Sequence, residues 1–318
     1  MSLTKLRKPQ NDDVTAAALL APRSQRRSVI TRRGRIGWAF VAPFGVTFIA
    51  LLVIPLLYAF WLSLNTNTLA KGNQFTWFHN YGQAFTDPLF LEGARFVIVF
   101  SLILIPFQML ISLITALIID ELANKVARIS RLLIFIPYAV PVVIGAIMWG
   151  FLYSPSFGPM GEIFGFFGLN APNLLSADGI FWGLVNIVTW QWVGYYMIII
   201  FSALQGLDPS LFEAARIDGA SKLQIALRIK IPLVAPALVL ILVFALIGTL
   251  QFFTEPQILR SLAGGAITSG FTPNLYAFNL AFVYRDFNYA STISFALGIV
   301  VFIGSYIFLS ASRKKSGL

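Results

Sequence analysis

Residues 205–232 read Q-G-L-D-P-S-L-F-E-A-A-R-I-D-G-A-S-K-L-Q-I-A-L-R-I-K-I-P and lie between two long apolar runs. A linker between such runs need only be short and polar. This one carries two stretches of helical periodicity that meet at Gly219. Asp208 followed by Pro209 suits a helix start, because proline at the first helical position gives up only an N–H that has no intrahelical partner. Ser210 and Glu213 have capping-box spacing. Leu211, Phe212, Ala215 and Ile217 supply apolar surface before the glycine. Leu223, Ala226, Leu227 and Ile231 continue it at helical spacing afterwards. Pro232 closes the segment. The stretch predicts a helix–turn–helix with an apolar stripe, which lipid, the rest of the chain or a partner must cover.

Working outward, composition sets the solvent. The chain is 58% hydrophobic and only 11% charged, against roughly a quarter charged in a soluble domain. A bilayer-crossing helix needs about 20 apolar residues. Six runs without Asp, Glu, Lys or Arg meet that length, at 38–64, 96–119, 132–153, 180–204, 233–253 and 290–311. The run 261–284 is also uncharged, but Gly264, Gly265, Gly270, Pro273 and Asn274 give it loop chemistry.

Lysine and arginine set the orientation. With six spans, nineteen basic residues share one side with both termini, and four (Lys71, Arg95, Arg260, Arg285) face the other. The net charge of +10 is therefore a topology signal. Nucleic-acid binding is not expected, because the basic residues flank hydrophobic spans. The expected fold is an all-α membrane protein with six transmembrane helices and both termini cytoplasmic. Its segments are a basic, disordered cytoplasmic tail (1–37), a retained first helix (38–64), an extracytoplasmic loop (65–95), a core with five transmembrane helices (96–311) and a short cytoplasmic tail (312–318). The loop 205–232 lies on the cytoplasmic side of that core.

Several chemistries are excluded. There is no cysteine and a single histidine, His79, so thiolate and polyhistidine metal sites cannot form. His79 sits in an outer loop and reads as structural or solvent-exposed. No Gly-x-x-x-x-Gly-Lys-Ser/Thr occurs, so the chain has no P-loop of its own.

Glu213-Ala214-Ala215, three residues, Gly219, nine residues, then Ile229-Lys230-Ile231-Pro232 resembles the cytoplasmic signature of permease subunits of binding-protein-dependent ABC importers. Ile231 departs from the leucine that family favours. Flanking residues, among them Trp192, Gly194, Gln205, Tyr276 and Tyr289, are similar to the carbohydrate, maltose-type branch. The resemblance implies a type I ABC importer permease fold in which residues 208–232 form the coupling helix of an ATPase partner. Glu213 would face a basic group of that partner, with a helix cap as its alternative role. Ala214 and Ala215 would permit close approach and Gly219 would make the turn, with Asp218, Ile229 and Pro232 completing the element. The resemblance further implies a second permease subunit in a heterodimer, an ATPase dimer and an extracytoplasmic solute-binding protein. No cofactor is implied on this chain; ATP and Mg belong to the ATPase. The setting is a bacterial or archaeal cell membrane, and the cargo a sugar or oligosaccharide.

The solute pathway is expected on the fourth and fifth spans, at Asn186, Trp190, Gln191, Tyr195, Tyr196 and Gln251. Sugars need hydrogen-bonding groups and aromatic faces, and polar side chains inside spans are often functional. Helix–helix hydrogen bonds and interfacial anchoring are the competing roles. A standalone secondary transporter or channel for a small polar solute is the alternative reading. It would need ion-coupling carboxylates in the membrane, and the six runs contain none. A membrane enzyme would need clustered ionisable groups, which are also missing from the runs.

Overall fold

The computed structural model describes residues 38–68 and 72–316; the expected disordered tail at 1–37 lies outside them. Among the described residues, five helices are long and apolar enough to cross a membrane, or six if one bent pair counts as a span. The first, α1, is Trp38–Ser63. It widens at Ile49–Val53, where Ile54 N–H reaches back five residues to the Ile49 carbonyl. Pro55 follows at once. A proline ring clashes with the carbonyl four residues before it, and a wide turn makes room. The chain divides into two compact units between Ala59 and Phe60.

The predicted loop 65–95 is corrected: it is largely structured. Strands β1 (Asn65–Thr68) and β2 (Gly72–Phe75) pair antiparallel, and α2 (His79–Ala84) follows, with His79 exposed. Helix α3 (Pro88–Asp120) then begins eight residues before the predicted span. Asp87 caps it, accepting from Leu89 N–H at 2.9 Å, with Pro88 at the first helical position. Glu92 and Arg95 lie in these first turns and interrupt the charge-free run.

The run 132–153 is not one straight helix. Helices α4 (Asn124–Ala139) and α5 (Val142–Tyr153) meet at 94°. Pro141 disfavours helical geometry at the preceding residue, and Val140 is extended. The freed Val140 carbonyl accepts a hydrogen bond from Gln191 Nε2 at 2.8 Å. A break at membrane depth requires such a partner.

The chain continues through α6 (Met160–Phe166), α7 (Ile180–Gln205) and α8 (Pro209–Ile217). Helix α9 (Lys222–Ile225) is prolonged by a wide turn, Ala226–Lys230, and by Ile231–Leu233. Then come α10 (Ala235–Leu250), α11 (Thr254–Leu259), α12 (Pro273–Phe278) with a wide turn at Asn279–Val283, and α13 (Phe287–Ser316). The stretch 261–284, predicted as loop, thus holds a short helix, but it is not a span.

The core forms where α3 and α7 cross. Phe100, Leu104, Leu184 and Ile187 are fully buried there. Lipid tails are as apolar as leucine, so packing and hydrogen bonds must hold such helices together. Gln108 Nε2 donates to the Val188 carbonyl at 3.0 Å, and Ser112 Oγ to the Val193 carbonyl at 3.1 Å. Helix α4 approaches α7 at Gly194, where any Cβ would overlap the Ile134 carbonyl. At the opposite end, Tyr276 and Tyr289 donate their hydroxyls to Asp87 Oδ2 at 2.7 and 2.8 Å. These bonds fasten α12 and α13 to the start of α3.

Candidate functional site

Two regions bring the candidate residues together. The first is the α8–α9 element. Asp208 caps α8 by accepting from Ser210 N–H at 2.9 Å, with Pro209 at the first position. That hydrogen bond holds the Asp208 carboxyl below its usual range. The expected Ser210–Glu213 capping box does not form, because Asp208 already occupies the cap. A capping box forms instead at the start of α9, between Ser221 and Gln224.

Gly219 ends α8 with φ +84°, in the left-handed region that favours glycine. Gly219 N–H bonds the Arg216 carbonyl at 3.0 Å and Ala220 N–H bonds the Ala215 carbonyl at 2.9 Å, the pair of bonds that defines a Schellman stop. Beyond it, Ile231 N–H reaches back five residues to Ala226. The wide turn again stands immediately before a proline, here Pro232. Glu213, Ala214, Asp218 and Pro232 are exposed, and Ala215 and Ile229 are half-buried. The apolar stripe is largely uncovered: Ile217 is 87% exposed and Leu223 67%, with Leu211 and Leu227 also exposed.

Lys230 anchors this element. Its side chain is only 6% exposed and lies 2.7 Å from Asp120 Oδ2 and 2.8 Å from Glu121 Oε1, at the end of α3. Gln205 Nε2 donates to Asp120 Oδ1 at 2.8 Å. The ammonium sits 5.2 Å from the Phe212 ring on α8, within cation–π range. Burial alone would lower the Lys230 pKa, but hydrogen bonds to Asp120 and Glu121 outweigh it and raise the value. The same bond from Lys230 holds Glu121 low. A cavity of about 370 Å³ lies beside this cluster, lined in part by Phe212, Glu213 and Arg216. Lys230 was legible in the sequence only as one basic residue among many. Its partners are 109 and 110 residues away.

The second region is a cavity of about 480 Å³ between α3, α7 and α10. Tyr195, Tyr196 and Gln251, three of the six predicted pathway residues, line it. Tyr138 and Trp192 join them, with Tyr138 stacked on Tyr195 at 4.5 Å and edge-on to Trp192 at 5.4 Å. The other three predicted residues lie elsewhere. Asn186 donates to the Tyr153 hydroxyl at 2.6 Å. Trp190 packs edge-on against Trp149 at 5.8 Å. Gln191 holds the Val140 carbonyl and lines a smaller neighbouring cavity of about 330 Å³.

One charged lining residue went unrecognised in the sequence. Glu255, in α11, is 6% exposed and borders the larger cavity. The expectation that the spans hold no carboxylate is corrected here. The apolar stretch extends through Leu259, past the charge at Glu255 that ends the uncharged run.

Apolar helices crossing one another around an aromatic cavity, with an amphipathic helix pair at one end, define a multi-pass membrane permease. Residues 108–313 match the family described as binding-protein-dependent transport system inner membrane component, and the chain belongs to that family. It is 29% identical over 283 residues to the lactose transport system permease protein LacF of Rhizobium radiobacter, covering 88% of this chain and 94% of that one. It is 26% identical over 284 residues to the trehalose/maltose transport system permease protein MalF of Thermococcus litoralis, covering 89% and 95%. Among solved structures, a chain of a bacterial alginate ABC transporter, crystallised with an alginate pentasaccharide-bound periplasmic protein, is similar with a TM-score of 0.79. That match covers 90% of this chain and 96% of the other at 20% identity, a likeness of fold. The type I ABC permease architecture expected from the signature is the one observed.

Proposed function

We propose that this chain forms half of the pore of an ATP-driven importer for a sugar or oligosaccharide. Helix α8 is its coupling helix, on the cytoplasmic side with both termini. An ATPase dimer grips it and consumes ATP with Mg there. A second, similar permease completes the pore as a heterodimer, and an extracytoplasmic binding protein delivers solute at the Asp87 end.

One observation carries this reading: α8 and α9 expose Leu211, Ile217, Leu223 and Leu227 while Lys230 ties their far end to α3. A contiguous apolar surface on a polar-rimmed element marks an interaction site. Glu213, Ala214, Ala215, Asp218 and Gly219 form the part that meets the partner, and Ile229 and Pro232 join it to the membrane. Force on α8 passes through Lys230 to the end of α3 and along α9 into α10. Both helices wall the larger cavity, so the aromatic groups on α7 are opened to one side or the other. The stacked Tyr138–Tyr195 pair and Trp192 suit the apolar face of a pyranose ring. The names of the lactose and trehalose/maltose relatives support that cargo class.

Affinity purification of the chain from its native membrane tests the partner. The chain should bring down an ATPase that is released by Glu213→Lys or Gly219→Pro. Retention of the ATPase by both variants would sink the coupling role of α8. Glu255 is the observation that favours a standalone transporter, since it places a carboxylate within a span. Solute uptake that persists after removal of every ATPase subunit would select that reading instead.

A further inference from the structure

We propose that Glu255 is a specificity-determining residue of the larger cavity: its carboxylate hydrogen-bonds hydroxyl or ammonium groups of the solute and excludes anionic solutes. This rests on the reading that the cavity is the sugar's path, and adds to it a filter on charge.

Glu255 is unusual in its setting. It is 6% exposed and borders the cavity, yet among the described residues no ion pair or side-chain hydrogen bond reaches its carboxylate. The nearest cation along its own chain, Arg260, donates instead to Asn279 at 2.8 Å. Its one partner is its own backbone N–H, in the first turn of α11, and a buried carboxylate with so little compensation is strongly disfavoured. Ionisable groups at membrane depth therefore characteristically face a pathway. The solute supplies the remaining partners.

The rest of the lining points the same way. It contains no Lys, Arg or His. Thr249 spends its hydroxyl hydrogen on the Ala245 carbonyl at 2.6 Å, which leaves its oxygen as an acceptor. Gln108 gives one amide hydrogen to the Val188 carbonyl at 3.0 Å, which leaves its carbonyl oxygen and one N–H. Glu255 is the only charged group of this lining, whose other polar groups, Tyr138, Trp192, Tyr195 and Gln251 among them, are neutral. A polyol or amino sugar presents donors to match it. A phosphate or carboxylate presents further acceptors and finds no cation. At a separation of roughly 5 Å and an effective dielectric constant of about 20, repulsion from Glu255 disfavours an anion on the order of a hundredfold.

The test uses the full chain in lipid nanodiscs, titrated with three sugars of one ring type: glucose, glucosamine and glucuronate. Wild type should bind glucose and glucosamine, with glucuronate weaker by about a hundredfold. Glu255→Gln should reduce that gap to about tenfold or less and weaken glucosamine about tenfold. Equal binding of glucuronate by wild type overturns the proposal, as does a variant with unchanged preferences. If Glu255→Gln does not fold, the wild-type order alone decides. Failure of wild type to bind any of the three overturns both this proposal and the sugar-path reading, whereas binding without charge preference overturns this proposal alone.

Discussion

Lys230 Nζ lies 2.7 Å from Asp120 Oδ2, joining two residues 110 positions apart in the chain. The Lys230 side chain is 6% exposed and that of Asp120 11%. The pair is therefore shielded from water, and it holds α9 to α3 where a surface pair would not. Removing one partner of such a pair strands the other, at a cost of about 3 kcal/mol. Lys230→Met should lower stability by about that amount in denaturant unfolding of the detergent-solubilised chain. Adding Asp120→Asn should recover part of the loss. An unchanged midpoint in Lys230→Met would show that the tether carries no stability.

The same cluster sets a pH response. Lys230 holds the Glu121 carboxyl below its ordinary value, so its contribution is present above the unfolded pKa near 4.5 and is lost as pH falls through the lower folded value. The Lys230 pKa is raised, so its contribution is complete below about 10.5 and is lost as pH rises through the higher folded value. Stability from the cluster should form a plateau across neutral pH. Glu121→Gln should flatten the acid limb of a melting-temperature profile below about pH 4.5 and also shrink the alkaline limb, because Glu121 is one of the two carboxylates that raise Lys230.

Gly219 closes α8 at φ +84°, and no atom lies within 4 Å of a Cβ built there. The penalty for Gly219→Ala is therefore purely conformational, about 1 kcal/mol. Gly219→Asn should cost less, because asparagine visits the left-handed region more readily. Thermal unfolding of the two variants should rank them in that order.

At Gly194 the constraint is space. A methyl group there meets the Ile134 carbonyl, which is backbone and cannot rotate aside. Gly194→Ala should cost about 2 kcal/mol through overpacking. Gly161→Ala, with nothing within 4 Å, should be neutral or slightly stabilising. Equal melting temperatures for the two variants would contradict the tight α4–α7 crossing.

Much of this fold was legible because the bilayer imposes long apolar runs. Helix α7 matches its run to within one residue, and α8 begins where Asp208 and Pro209 indicate. The turn at Gly219 was equally legible, because only backbone chemistry decides it. The 94° elbow was not: Pro141 marks a break, but what satisfies it is Gln191 reaching Val140 across 51 positions. Lys230 and Glu255 escaped for related reasons. A charge count shows how many ions flank a span, but not which of them is buried or what it faces. Asn186, Trp190 and Gln191 share a helix with Tyr195 and Tyr196, yet the rotation of α7 turns only the last two towards the larger cavity.

The elbow at Val140 has a mechanical corollary. Gln191 grips the Val140 carbonyl at the kink, so α4, α5 and α7 are held together like two struts bolted to a post. Tyr138 and Trp192, on either side of that bolt, cannot drift apart while it holds. Any widening of the passage must then come from displacement of α3 and α10 against a stationary aromatic wall.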